Sequence, residues 1–325
     1  MKVLGLVLGL GLAACSPSAP EVVVYTSVDE IFAREIFAVF EAETGVRVKA
    51  VYDAEAAKAL GLVHRIVAEA SRPQADVFWN GEAARTALLA SKGLLEPYRA
   101  PTAEDIGPEW RSADGTWTGF AARARVIVYN TKTVSDPPRT VDALAHPRWN
   151  GRVAVANPMY GTTAAHVLAL AQAQGEEQTL GWIQALNACE VRWVGGNSHV
   201  RDAVAAGVDA EIGLTDTDDV WIGKERGRTI DMVFPEPTLV IPNTVALLRG
   251  APHPEAGRRF IDFLLRPETE ARLARGRSRQ MPVRPGVPGP AGMPAITSLR
   301  ILRVDWGRLS AQEPFLERVR KELGS

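Results

Sequence analysis

The chain has 325 residues, 46% of them hydrophobic, and 37 basic side chains almost balance 38 acidic ones. A net charge of −1 gives no reason to expect nucleic-acid binding, which depends on an excess of basic side chains. The length is sufficient for two folded units of ordinary domain size.

The N-terminus has the pattern of a bacterial lipoprotein leader. Lys2 precedes a short apolar run, and Leu12-Ala13-Ala14-Cys15 then matches the site that lipoprotein signal peptidase cuts. We therefore predict a signal peptide over residues 1–14, lipidation of Cys15 and a flexible tether over residues 15–20. The alternative is an ordinary secretory signal whose cysteine is incidental.

This leader predicts a location on the periplasmic or cell-surface side of the cytoplasmic membrane. The apolar run is too short for a permanent membrane helix, and no later run reaches membrane length. We therefore expect a monomer that contacts the membrane through its lipid anchor only. The other cysteine, Cys189, has apolar neighbours and is expected to be buried.

Short β-rich runs alternate with helix-like segments along the chain, which indicates an α/β fold with largely parallel strands. The first series predicts strands at 22–25, 46–51 and 75–79 and helices at 31–44, 54–71 and 82–92. The second series predicts strands at 124–129, 152–156, 191–194 and 210–214 and helices at 163–174, 180–187, 199–206 and 218–226. A β-rich run at 239–248 and a helix at 254–265 follow.

The two series predict two lobes. Lobe 1 is assigned to residues 21–122 and 245–290, and lobe 2 to residues 123–244. The segments near 120–129 and 239–248 are predicted to cross between the lobes. Residues 291–325 are predicted to form a C-terminal helical segment that packs on a lobe.

Five loops follow a predicted strand and open a predicted helix, the position at which α/β lobes bind their ligands. Their polar residues and glycine are our candidate ligand-binding residues: Ser27, Asp29, Asn80, Glu82, Gly161, Thr162, Thr163, Asn197, Ser198, Thr215, Asp216 and Asp218. Taken singly, Ser27, Asp29, Thr162, Ser198 and Asp218 are more simply explained as helix N-caps. Five such loops on one edge nevertheless favour a shared cleft.

The charges in these loops suit two kinds of solute. Arg123 on a crossing strand is a further candidate, because it and Arg125, with Gly161-Thr162-Thr163, suit an anionic group. Asp216, Asp218, Asp219 and Glu82 instead offer hard oxygen ligands to a metal ion. An acidic first turn that complements the helix dipole is the simpler interpretation of the aspartate run.

The histidines and the known catalytic motifs give no sign of an enzyme. We find no nucleophile elbow, no zinc-spaced histidine pair and no phosphate loop with its lysine. His64 and His166 fall inside apolar helical patterns and are expected in the core, whereas His199 is expected near the cleft. We therefore predict neither catalytic residues nor an intrinsic cofactor.

Several motifs together resemble the ferric-iron type of periplasmic solute-binding proteins. The carriers are Val24-Tyr25-Thr26-Ser27, Ala75-Asp76-Val77-Phe78-Trp79-Asn80, Trp117-Thr118-Gly119-Phe120, Gly213-Leu214-Thr215-Asp216-Thr217-Asp218-Asp219 and Ile241-Pro242-Asn243-Thr244. The resemblance implies a two-lobed periplasmic-binding-protein fold with a β-strand hinge and a ligand cleft between the lobes. It also implies Fe(III) as transported ligand, and an ABC permease with its ATPase as partners.

The chain departs from this family at the residues that commonly hold the metal. Iron-binding members carry an adjacent tyrosine pair in the loop that here runs from Thr215 to Asp219, and this chain has no tyrosine after Tyr160. The family's strand-end glutamate falls near Gly81, one place before Glu82. A small organic anion, such as a phosphorylated or carboxylated compound, therefore stays open as the solute. A hydrolase or transferase on a two-lobe fold, or a sensor protein, is a further alternative.

Overall fold

The computed structural model describes residues 19–53 and 60–324. The predicted signal peptide, Cys15 and most of the tether lie outside these ranges, as do positions 54–59 of the predicted second helix. None of the helices in the described ranges is long and apolar enough to span a bilayer.

The strands and helices follow the predicted alternation. The strands are β1 (Glu21–Thr26), β2 (Arg47–Tyr52), β3 (Val77–Asn80), β4 (Leu95–Glu96), β5 (Thr118–Asn130), β6 (Val153–Ala156), β7 (Arg192–Val194), β8 (Ile212–Asp216), β9 (Ile230–Val233) and β10 (Val240–Leu248). The helices are α1 (Glu30–Thr44), α2 (Leu60–Ala68), α3 (Ala83–Ser91), α4 (Gly161–Gln174), α5 (Glu176–Ala188), α6 (Asn197–Ala206), α7 (Thr217–Glu225), α8 (Pro254–Leu264), α9 (Pro267–Arg275), α10 (Trp306–Leu309) and α11 (Glu313–Glu322).

All of these strands belong to one sheet. Eight follow the order β2-β1-β3-β10-β5-β8-β6-β7, while β4 pairs with β10 and β9 pairs with β5. The strands β1, β2 and β3 are parallel to one another, and so are β6, β7 and β8. Between the two parallel groups lie β10 and β5, which pair antiparallel with each other and with their outer neighbours. The two segments predicted to cross between the lobes are therefore the strands that join the two halves of the sheet.

Each face of the sheet carries its own apolar core, because successive side chains of a strand point to opposite faces. On β5, Val126 and Val128 lie in one core and Ile127 in the other. The same alternation places Ala154 and Val155 of β6 in different cores. Both cores extend across the two parallel groups, which explains why the joining strands are buried along almost their whole length.

The pairing of β5 with β10 is interrupted at one point. Pro242 pairs with Ala122 and Asn243 with Phe120, so Ala121 is left over as a bulge. Ala121 has a φ of 40°, a left-handed backbone conformation that residues other than glycine rarely adopt. Its N–H donates to Glu270 Oε1 at 2.6 Å, and its carbonyl accepts from the Asn243 side chain. Side chains therefore replace the ladder hydrogen bonds that the bulge removes.

The C-terminal segment contacts helices of both halves of the sheet. Glu313 of α11 forms an ion pair with Arg85 of α3 in the first half. Arg318 of α11 pairs with Glu176 at 3.0 Å and with Glu177 at 2.7 Å, both on α5 in the second half. The segment was predicted to pack on a lobe. Its buried Trp306 and Phe315 belong to a core that extends over both halves of the sheet. The lobe boundaries drawn from the sequence remain our proposal.

We predict that Glu270→Ala lowers the free energy of unfolding by about 3–5 kcal/mol. Glu270 is fully buried, lies 3.1 Å from the buried Arg284 and accepts from the Ala121 and Val283 amides. Its removal leaves a buried guanidinium and two amide groups with fewer partners. Urea unfolding checks this, with the exposed Glu268→Ala on the same helix as control. A loss below about 1 kcal/mol, within the range of ordinary surface substitutions, would contradict it.

Candidate functional site

The five predicted loops converge on one cleft. The carboxyl ends of β1, β3, β6, β7 and β8 face a cavity of about 680 Å³ between the two halves of the sheet. Of the predicted residues, those that line the cavity are Ser27, Asp29, Glu82, Arg123, Gly161, Thr162, Thr163, Asn197, Ser198, Asp216, Asp218 and Asp219. His199, expected near the cleft, lines it too.

Arg125 and Asp216 form a buried ion pair beneath the cleft. Their side chains are 0% and 1% exposed, and Arg125 Nη1 lies 2.7 Å from Asp216 Oδ1. The second oxygen of Asp216 accepts from Thr162 Oγ1 at 2.7 Å and from Asn197 Nδ2 at 2.9 Å. Arg125 also donates to Thr162, Asn197 and Thr163. The network therefore ties β5 and β8 to the first turns of α4 and α6.

His166 of α4 lies next to this network. It is 2% exposed, as the apolar pattern of its helix predicted. Burial, together with the positive charge of Arg125, holds the pKa of His166 well below its ordinary value. The imidazole is therefore neutral, and Arg125 keeps Asp216 as its counter-charge. The similar prediction for His64 is wrong, because that side chain is exposed on the outer face of α2.

Asp218 and Asp219 lie in the first turn of α7 and face the cleft. Carboxylate oxygens of Asp216, Asp218 and Asp219 all lie within 4.8 Å of one another. Burial raises the pKa of Asp218, and the charges of Asp216 and Asp29 act in the same direction against Arg123. Burial also holds the pKa of Asp219 well above its usual range, with Asp218 and Asp216 adding to the shift. These carboxyl groups repel one another in the free protein.

Two arginines flank the acidic pair at longer distances. Arg123 Nη1 lies 3.4 Å from Asp218 Oδ2, and Arg201 Nη1 lies 3.6 Å from Asp219 Oδ1. Close ion pairs have nitrogen–oxygen distances of about 2.7–2.9 Å. Both carboxylates therefore keep oxygen lone pairs available to a solute. Arg123 and Arg125 face the same side because they are two residues apart on a strand.

Three predicted site residues hold neighbouring groups in place, and of these Glu82 alone also lines the cleft. Glu82 caps α3, where its carboxylate accepts from the Ala84 and Arg85 amides at 2.7 and 3.0 Å. Glu82 is therefore not part of the aspartate cluster, although we expected it to share the metal site. Asn80 is fully buried and accepts from Ser27 Oγ at 2.5 Å, which positions the Ser27 side chain beside the cleft. Thr215 is also buried, and its hydroxyl donates to the Asn197 carbonyl.

Of the residues that the simpler interpretation made N-caps, Asp29 alone occupies an N-cap position. The N-cap positions of α4, α6 and α7 are Tyr160, Gly196 and Asp216, none of which caps with its side chain. Asp29 occupies the N-cap position of α1 but forms no side-chain cap bond there. Thr162 and Asn197 point their polar groups into the buried network instead. Sequence reasoning missed Arg201, because its place in the middle of an amphipathic helix carries no local sign of a cleft.

This chain is similar to proteins named for iron and to a protein solved with a sugar phosphate. Iron uptake protein A1 of Synechocystis is 32% identical over 305 residues, which cover 85% of this chain and 82% of that protein. Iron-bound HitA from Pseudomonas aeruginosa is similar in structure with a TM-score of 0.84 at 24% identity, covering 93% of this chain and 99% of HitA. AfuA from Actinobacillus pleuropneumoniae, solved with exogenous fructose-6-phosphate, gives 0.82 at 21% identity, covering 94% and 99%.

The two structural likenesses agree with the two-lobed fold expected from the sequence. The profile of the bacterial extracellular solute-binding proteins matches residues 21–276, which include both halves of the sheet and every loop of the cleft. The chain belongs to the family of bacterial extracellular solute-binding proteins.

Proposed function

We propose that this protein captures ferric iron outside the cytoplasmic membrane and delivers it to an ABC permease driven by its ATPase. The observation that carries the proposal is the group of aspartate carboxylates at the cleft, in which Asp218 and Asp219 face the solute. Proteins named for iron uptake or iron binding among the relatives support the same solute. The proposed activity is solute binding, with Fe(III) as cargo rather than as a resident cofactor.

Carboxylate oxygens are hard ligands, which suits a hard trivalent cation. Asp218 and Asp219 would supply the ligands, because their contacts with Arg123 and Arg201 are long. A cation between the two carboxylates replaces their mutual repulsion by attraction. Burial raises the pKa of both groups, and neighbouring carboxylates add to the shift, so a cation would also favour their charged forms. This chain has no tyrosine after Tyr160. Asp218 and Asp219 therefore lie in the loop where iron-binding members commonly carry a tyrosine pair.

Asp216 differs from its two neighbours although it belongs to the same cluster. Both of its oxygens already accept short hydrogen bonds from Arg125, Thr162 and Asn197. A metal ion would have to compete with these donors, whereas Asp218 and Asp219 accept longer hydrogen bonds, from the Asp219 amide at 3.1 Å and from the Thr215 hydroxyl at 3.5 Å. We therefore assign the metal to Asp218 and Asp219, with Asp216 fixing the strand end behind them.

We predict that Asp218→Asn and Asp219→Asn each weaken Fe(III) binding by at least about 100-fold, or about 2.8 kcal/mol. Each change removes one anionic ligand without altering side-chain size. Iron per chain is measured by metal analysis after competition with a soluble chelator. The control is Asp231→Asn on β9, a half-exposed carboxylate that pairs with Lys224. Unchanged iron retention in the double variant would remove iron from this site.

A second candidate solute is a small organic anion, and one observation favours it. Arg123 lines the cleft, and its buried Nε has no hydrogen-bond partner within the described residues. A carboxylate or phosphate on a solute could accept from that guanidinium. A protein purified with an organic mass and without metal, whose ligand is lost on Arg123→Gln, would favour this solute over iron.

We also propose that Cys15 anchors the mature protein through a lipid. The proposal rests on the leader pattern, which lies outside the described residues. Two acyl chains suffice for stable membrane attachment. We predict that the wild-type protein made in a bacterial host fractionates with membranes and that Cys15→Ser does not. Equal amounts of both proteins in the soluble fraction would show that the leader is an ordinary secretory signal.

A further inference from the structure

The carboxylate of Asp216 is bound as a separate oxyanion would be bound. Three different side chains donate to it: the Arg125 guanidinium at 2.7 Å, the Thr162 hydroxyl at 2.7 Å and the Asn197 amide at 2.9 Å. Thr162 and Asn197 belong to the first turns of α4 and α6, where helix dipoles also favour negative charge. Together, Arg125, Thr162 and Asn197 form what we call the oxyanion cradle.

The sequence assigned Thr162 and Asn197 to the solute, and the structure assigns them to Asp216. Thr162 Oγ1 gives its one proton to Asp216 Oδ2. The Asn197 side-chain nitrogen, Nδ2, donates to the same oxygen, and Asn197 Oδ1 accepts from Arg125 Nη1 at 3.0 Å. The donor groups that an incoming phosphate or carboxylate would need are therefore already used by a side chain of the protein.

We propose that Asp216 is a built-in anion that fills the oxyanion cradle and keeps free oxyanions out of it. The solute is consequently captured without a second, co-bound anion at this position. This inference rests on the proposed function only in taking the cleft as the solute site. It holds whether the captured solute is a ferric ion or another small cation.

Charge explains why the cradle rejects an exogenous anion. Arg125 is fully buried, and a buried guanidinium requires a counter-charge, which Asp216 provides. A phosphate approaching from the cleft would meet the Asp218 and Asp219 carboxylates within 4.8 Å of Asp216. Truncating Asp216 to alanine removes both its charge and its carboxylate group, and leaves Arg125 uncompensated beside the cleft. The vacated position then attracts an anion from solution.

The experiment is a titration with inorganic phosphate, followed by calorimetry and by thermal unfolding, in metal-free buffer. We expect no saturable phosphate binding in the cradle of the wild-type protein. We expect Asp216→Ala to bind phosphate at least about tenfold more tightly than wild type, because the ion takes the place of the lost carboxylate. Asp231→Ala is the matched control and should behave as wild type. Adding Thr162→Val to Asp216→Ala should abolish the gain.

Two results would overturn the inference. One is saturable phosphate binding by the wild-type protein that Thr162→Val removes, since the cradle would then be open. The other is a folded Asp216→Ala protein that binds phosphate no better than wild type. If Asp216→Ala does not fold, the wild-type and Thr162→Val titrations decide the question alone. The phosphate titrations contain no iron. A failure of the proposed iron binding would therefore not change how their result is interpreted.

Discussion

The ion pair between Arg125 and Asp216 is the interaction on which the cleft depends. A guanidinium and a carboxylate with 0% and 1% exposure cannot stay charged in an apolar interior unless each is paired and hydrogen-bonded. The partners that complete the pair come from the first turns of α4 and α6. The need to satisfy two buried charges therefore fixes the positions of three loops at once, and the cleft takes its shape from them.

The same pair divides the aspartates of the 216–219 loop into two kinds. Asp216 faces inward and is neutralised by a close arginine, whereas Asp218 and Asp219 face the cleft with arginines at 3.4 and 3.6 Å. The free protein thus holds two carboxylates near each other at a cost in repulsion. A cation removes that repulsion. Part of the binding free energy therefore comes from loss of the repulsion between the two carboxylates in the unliganded protein.

Much of the fold could be predicted from the sequence, because strand and helix periods are local. The five loops were also predictable, since parallel strands bring their carboxyl ends to one edge. The roles of individual residues were harder. The aspartates at 216 and 218 look equivalent in sequence, and only the approach of Arg125 from a distant strand separates them. Glu82 looked like a ligand and is a helix cap, because its own backbone turns the carboxylate toward Ala84 and Arg85.

The bulge at Ala121 changes how β5 and β10 join the two halves of the sheet. Where Pro242 stands, the ladder already lacks a backbone donor, and Glu270 and Asn243 have taken over the neighbouring groups. Ala122 beside the bulge exchanges two backbone hydrogen bonds with Met281 instead of continuing the β5–β10 ladder. The connection between the two halves of the sheet therefore depends at this position on side chains and on the segment around Met281, whereas on either side it depends on the ladder between β5 and β10.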